Sequence, residues 1–116
     1  MNIARAEAHP IRLKLREPYQ IAYGRFETAD MVFLRLETRS GWVGWGCAAP
    51  DPHVTGETAA GVLDVLRDQV APALPGQNAH DVAALHQTIA PLTESFPAAR
   101  TALDLARWDL IGKRAG

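Results

Sequence analysis

The chain has 116 residues, with 12 lysines and arginines against 13 aspartates and glutamates, a formal net charge of −1, and 47% apolar and 22% charged positions. That composition fits one compact domain with a single core and excludes a disordered chain; without a clustered positive surplus it also excludes nucleic acid as the main partner. One cysteine leaves no internal disulfide, and no apolar run approaches the ~18–20 residues that cross a bilayer, so no membrane partner is expected. The N-terminal MNIARAEAHPIRLKL alternates in polarity and lacks a signal peptide's apolar stretch, so the expected location is cytoplasmic.

The first half of the chain has a period of two. Ile11, Leu13 and Leu15 alternate with Arg12, Lys14 and Arg16, which predicts a first strand with one buried face. Pro10 cannot donate to a ladder, so this strand is expected at an edge or a bulge. Glu17 to Asp30 (EPYQIAYGRFETAD) mixes aromatic and polar residues around Gly24 and reads as a long loop, of the kind that carries function. Val32, Leu34 and Leu36 alternate with Phe33, Arg35 and Glu37 in a second strand. Ser40-Gly41 then marks a tight hairpin into a third strand at Trp42-Val43-Gly44-Trp45.

After Pro52 the period becomes helical. Ala59, Val62, Leu63, Leu66 and Val70 form one stripe, with Arg67 and Asp68 off it, and Pro72 and Pro75-Gly76 are expected to end that helix. Asn78 followed by Asp81 predicts the start of a second helix with Val82, Leu85 and Ile89 inward. Pro97 fits the first turn of a third, running from Ala98 to Lys113. The predicted fold is α+β, a three-stranded antiparallel meander followed by three helices packed on one face, as one domain over residues 1–116. The third helix carries apolar residues round most of its circumference: Ala99, Ala102, Ala106 and Leu110 on one side, Leu103, Leu105, Trp108 and Ile111 spreading round the rest. A small sheet and two short helices cannot cover all of these, which predicts self-association or a further covering domain.

Few residues offer chemistry. Cys47 with His53 is the one candidate thiol pair, but Cys47 falls where the third strand ends, a place for a buried, inert thiol. The four histidines lie in four separate contexts, and Asp104 and Asp109 are about 140° apart on a helix, so no metal site is expected from this chain. Asp109 with Lys113 and Asp104 with Arg107 read as surface ion pairs. Gly44 and Gly46 lack the pattern of a phosphate loop and instead predict a strand passing close beneath a neighbour. Thr55 reads as the cap of the first helix, with Glu57 favourable to its dipole.

What remains is placement. In a meander, the 17–30 loop and the 49–57 loop leave the same end of the sheet. Together they carry Ile21, Tyr23, Arg25, Phe26, His53, Val54 and Thr55: an apolar, aromatic rim with one guanidinium, suited to binding a small molecule bearing a carboxylate. A stand-alone α+β binding or oligomerisation module without catalysis is the alternative use of such a domain. A thiol enzyme using Cys47 is a third.

GWGCAAPDPHVTGET at residues 44–58 resembles the segment "G-x-G-E-A-x-P…T-G-E-T" of the N-terminal capping domain of the enolase superfamily, in the muconate lactonizing and dipeptide epimerase subgroup. ALDLARWDLIGK at 102–113 is similar to that family's "A-x-D-x-A-x-W-D-x-x-G-K" helix, and PYQIAYG at 18–24 to its first mobile loop. The resemblance implies a (β/α)₇β barrel as partner domain, absent from this chain, which supplies three acidic Mg²⁺ ligands and lysine acid/base groups. It implies an epimerase, racemase or cycloisomerase that acts by proton abstraction α to a carboxylate, with an enediolate stabilised by the metal. The cap's two loops would close over the site and select the distal part of the substrate, leaving the cap alone without catalysis. Cys47 stands where that family has Glu.

Overall fold

A computed structural model of the chain describes the backbone of residues 1–21 and 24–116 and the side chains of residues 1–14 and 29–116. Strands β1 (Ile3–Ile21), β2 (Gly24–Thr38) and β3 (Val43–Ala48) form an antiparallel sheet in that order. The alternation in β2 is realised: Val32, Leu34 and Leu36 are fully buried against the helices. Burying each is worth about 1.5–3 kcal/mol over leaving it in water. At the β2–β3 turn, Thr38 N–H donates to the Trp42 carbonyl (2.9 Å) and Gly41 adopts φ +94°, a left-handed conformation that glycine takes without strain.

The first strand departs from expectation in two ways. Its buried stripe does not run through Ile11 and Leu13. A register irregularity between Ile3 and Arg5 resets the phase, so Ala6 and Ala8 lie opposite Leu36 and Leu34 on the helix side. Ile11 and Leu13 fall on the outer face, where Leu13 is exposed; the side chain of Leu15 lies outside the described residues. Nor is Glu17 to Asp30 an irregular loop. β1 and β2 stay paired to Ile21↔Gly24 and make one long hairpin, in keeping with the strand preference of Tyr19, Ile21, Phe26 and Thr28. Between Lys14↔Thr28 and Tyr19↔Phe26, β1 advances five residues (14 to 19) while β2 advances two (28 to 26). The extra residues include Pro18, which cannot donate to a ladder.

The helices all pack on one face. α1 (Ala59–Val65) continues through a π-helical turn (Leu66–Val70) into α2 (Ala71–Ala73). Pro72 therefore does not stop this helix. Ahead of it the chain widens by one residue, with the Ala71 N–H reaching back to the Leu66 carbonyl, five residues away. That widening accommodates a ring that has no N–H to donate and would clash with the preceding turn. α1 is capped by Thr58, whose Oγ1 accepts from Gly61 N–H (3.0 Å), and not by Thr55. α3 (Val82–Ile89) is capped by Asp81 and buries Leu85 and Ile89, whereas Val82, expected inward, is exposed.

α4 (Pro97–Ala115) buries Ala99, Ala102, Leu103, Ala106 and Leu110 and leaves Leu105 and Trp108 exposed, Trp108 by 60%. The expected Asp104–Arg107 pair does not form. Asp104 meets His86 of α3 at 3.3 Å, while Arg107 is buried, donates to the Ala79 carbonyl (3.3 Å) and stacks on Trp108.

Candidate functional site

Two motifs some sixty residues apart are each other's complement. Gly44 and Gly46 lie flat on α4: a Cβ on Gly44 would stand 2.4 Å from the Ala106 carbonyl oxygen, and one on Gly46 only 1.9 Å from that of Ala102. The reading of these glycines as a close-approach device is therefore met, and Ala102 and Ala106 are the small residues that receive them. The contact continues along the free edge of β3. Asp109 Oδ2 accepts the Trp45 N–H (2.8 Å), and Lys113 Nζ donates to the Val43 carbonyl (2.9 Å) and pairs with Asp109 (2.8 Å). Asp109 and Lys113 thus form more than a surface pair, because they satisfy the edge strand's outward backbone groups, which otherwise offer a pairing template.

This clamp should weaken in acid. The hydrogen bond from Lys113, and after it the Trp45 amide, holds the Asp109 carboxyl below its ordinary value. A carboxyl whose folded pKa lies below its unfolded one contributes stability above the unfolded value, near 4, and loses it as pH falls through the folded value. Asp109→Asn keeps the shape and an acceptor oxygen but cannot titrate. Urea midpoints measured from pH 6 downward should fall less steeply below pH 4 for the variant than for the parent. Parallel curves would detach Asp109 from the acid sensitivity.

β3 delivers the chain to a second ordered segment. The Asp51 carbonyl accepts from the N–H groups of Val54 (3.1 Å) and Thr55 (3.0 Å) and from Thr55 Oγ1 (3.3 Å), and Asp51 Oδ1 accepts from His53 N–H (2.9 Å). Gly56 closes the turn at φ +78°. The result is a wound, hydrogen-bonded loop that presents His53, Val54 and Thr55 outward, with Val54 exposed by 73%.

The hairpin points the same way. Val32 is level with the end of β3 at Ala48, and from there the hairpin runs eight further residues to Gly24, roughly 25 Å at strand rise. Ile21 and Arg25 are placed at its far end, opposite Gly24 and Gln20, and Phe26 opposite Tyr19, by backbone register alone. Tyr23 lies outside the described residues, as do the side chains of Ile21, Arg25 and Phe26.

Cys47 does not have the surroundings of a nucleophile. Burial pushes its thiol up from the ordinary value, and it lines an open groove of about 410 Å³ with Phe33, Trp45, Gly46, Leu105 and Asp109, a set with no cation to stabilise a thiolate. Among the described residues no three His, Cys, Asp or Glu side chains converge as a metal site would require, and no helix is long and apolar enough to cross a membrane. Glu57, expected beside the dipole of α1, is instead buried, and its Oε2 accepts the Ala98 N–H (2.9 Å) at the start of α4.

Residues 5–116 match the family described as mandelate racemase / muconate lactonizing enzyme, N-terminal domain. The chain is 33% identical over 114 residues to the N-succinyl-L-Arg/Lys racemase of Bacillus cereus, covering 98% of this chain and 31% of the racemase. It is 34% identical over 115 residues to the hydrophobic dipeptide epimerase of Enterococcus faecalis, covering 99% of this chain and 32% of that enzyme. A crystal structure of dipeptide epimerase from E. faecalis, complexed with Mg and the dipeptide L-Leu-L-Tyr, superposes with a TM-score of 0.93 at 34% identity, covering 99% of this chain and 32% of that one. The chain thus spans about a third of the length of these relatives. It belongs to the mandelate racemase / muconate lactonizing enzyme N-terminal domain family.

Proposed function

We propose that residues 1–116 are the substrate-specificity cap of an epimerase or racemase that abstracts the proton α to a carboxylate, and that the acid/base groups and the Mg²⁺ ligands belong to a barrel domain outside this chain. The observation that carries the reading is the match over residues 5–116 to relatives about three times as long, named as racemases and epimerases. Among the described residues no His, Cys, Asp or Glu group is arranged to hold Mg²⁺, so those residues do not fit that ion. Dipeptides and N-succinyl amino acids share an acylated nitrogen on the carbon next to a free carboxylate. The substrate class assigned is an N-acylated amino acid, with a cytoplasmic location.

In this reading Ile21, Tyr23, Phe26, His53, Val54 and Thr55 shape the pocket for the distal part of the substrate, and Arg25 receives a distal carboxylate. The uncovered surface of Leu105, Trp108 and the groove at Phe33 and Trp45 is where further protein packs, and in the free chain it favours self-association through α4. That same surface is what a stand-alone oligomerisation module would use. Arg25→Ala separates the two. In a polypeptide carrying cap and barrel, it raises KM about tenfold for substrates with a distal carboxylate and leaves kcat nearly unchanged. Unchanged KM and kcat on every N-acylated amino acid would remove Arg25 from the site.

A further inference from the structure

The rim loop is held at both ends by one helix. At its entrance, Gly44 and Gly46 of β3 lie against the Ala106 and Ala102 carbonyls of α4. At its exit, Glu57 reaches forty-one residues along the chain to accept the Ala98 N–H. The start of α4 has no cap of its own: Phe96 makes no side-chain capping bond, and Pro97 at the first turn has no N–H. Ala98 therefore carries the first amide of the helix, and Glu57 is its partner. The Glu57 side chain is only 3% exposed, so little water is available to replace the bond. Its own N–H leans on Thr55 Oγ1 (3.4 Å), which couples the anchor directly to the exposed residues of the loop.

We infer that Glu57 is a positioning residue: its buried carboxyl fixes the reach of His53, Val54 and Thr55 over the substrate and so sets which distal groups the pocket accepts. This rests on the cap reading above, but the anchoring itself does not. Sequence logic assigns Glu57 to the dipole of α1, a local role in which its loss would fray that helix. The geometry assigns it to α4, where its loss frees the loop.

Hydrogen–deuterium exchange on the chain, comparing parent, Glu57→Ala and Glu57→Gln, tests the anchor. Glu57→Ala speeds exchange of the Ala98, Val54, Thr55 and Gly56 amides by about tenfold or more, while the Trp45 amide in β3 keeps its protection. Glu57→Gln retains an acceptor oxygen and restores most of the loop's protection. Unchanged loop exchange in Glu57→Ala overturns the inference, and so does a rise at Trp45 in step with the loop, since Glu57 would then support the whole fold. In the cap–barrel polypeptide, Glu57→Ala raises KM about tenfold with kcat within about twofold, and Glu57→Gln rescues it. Loosened loop amides with unaltered kinetics would leave the anchor standing and contradict its role in selection. If no cap–barrel form of the protein turns over any substrate, the cap reading fails and the exchange result stands alone.

Discussion

Gly46→Ala unfolds this domain or brings it close to unfolding. The added Cβ would stand 1.9 Å from the Ala102 carbonyl oxygen, 2.6 Å from the Ala106 nitrogen and 2.9 Å from the Ala102 carbonyl carbon. All three are backbone atoms of α4, so no rotamer relieves the clash. β3 must lift off the helix, and with it go the Asp109–Trp45 and Lys113–Val43 bonds along the edge. Overpacking of this kind costs about 3 kcal/mol or more, a large part of the roughly 5–15 kcal/mol that holds a domain together. At an ordinary urea dependence the midpoint should drop by about 1.5 M or more, measured by far-UV circular dichroism. Gly112→Ala is the matched control. A methyl group added there, on α4 itself, meets nothing within 4 Å, and alanine there should stabilise by about 0.5–1 kcal/mol. Equal midpoints for Gly46→Ala and the parent would mean that β3 does not rest on α4 as described.

Joining the chain to a barrel should take it from no turnover to the ordinary enzymatic range of roughly 1–10³ per second. The Cys47 thiol is pushed up by burial, and among the described residues no three His, Cys, Asp or Glu side chains converge as a metal site would require. The exposed tryptophans 42, 45 and 108 report the change in packing. In the free chain their emission should be that of wet indole and its mass should rise with concentration. When a barrel covers Leu105 and Trp108, the emission should shift to the blue and a single defined mass should remain.

The parts of this fold that were readable from residue order are those whose cause is local or periodic. The stripe of β2, the turn at Ser40-Gly41, the entry of α4 at Pro97 and the small-residue approach at Gly44 and Gly46 all declare themselves within a few positions. What was not readable depends on partners far along the chain. One irregularity near Ile3 inverts the phase of β1, so an alternation that looked buried at Ile11 and Leu13 faces outward. Thr55 and Thr58 are equally good caps on paper, and the choice falls to Thr58 because Thr55 Oγ1 is turned to the Asp51 carbonyl. Glu57 sits beside one helix in sequence and caps another in space. The rim shows the same division. Its composition was legible, but the bonds that wind 51–56 and anchor Glu57 were not, because they leave no mark on hydrophobic pattern.

The central claim is that this chain is the recognition half of an enzyme whose proton-transfer half lies elsewhere. Solvent exchange of the substrate α-proton tests it most directly. In deuterium oxide with Mg²⁺, dipeptides and N-succinyl amino acids are followed by proton NMR with the chain alone, with a barrel alone and with the two joined. The account predicts loss of the α-proton signal only when cap and barrel are together, with preference among substrates following residues of the two rim segments. Exchange catalysed by the chain alone, or none by the joined polypeptide with any N-acylated amino acid, would contradict it.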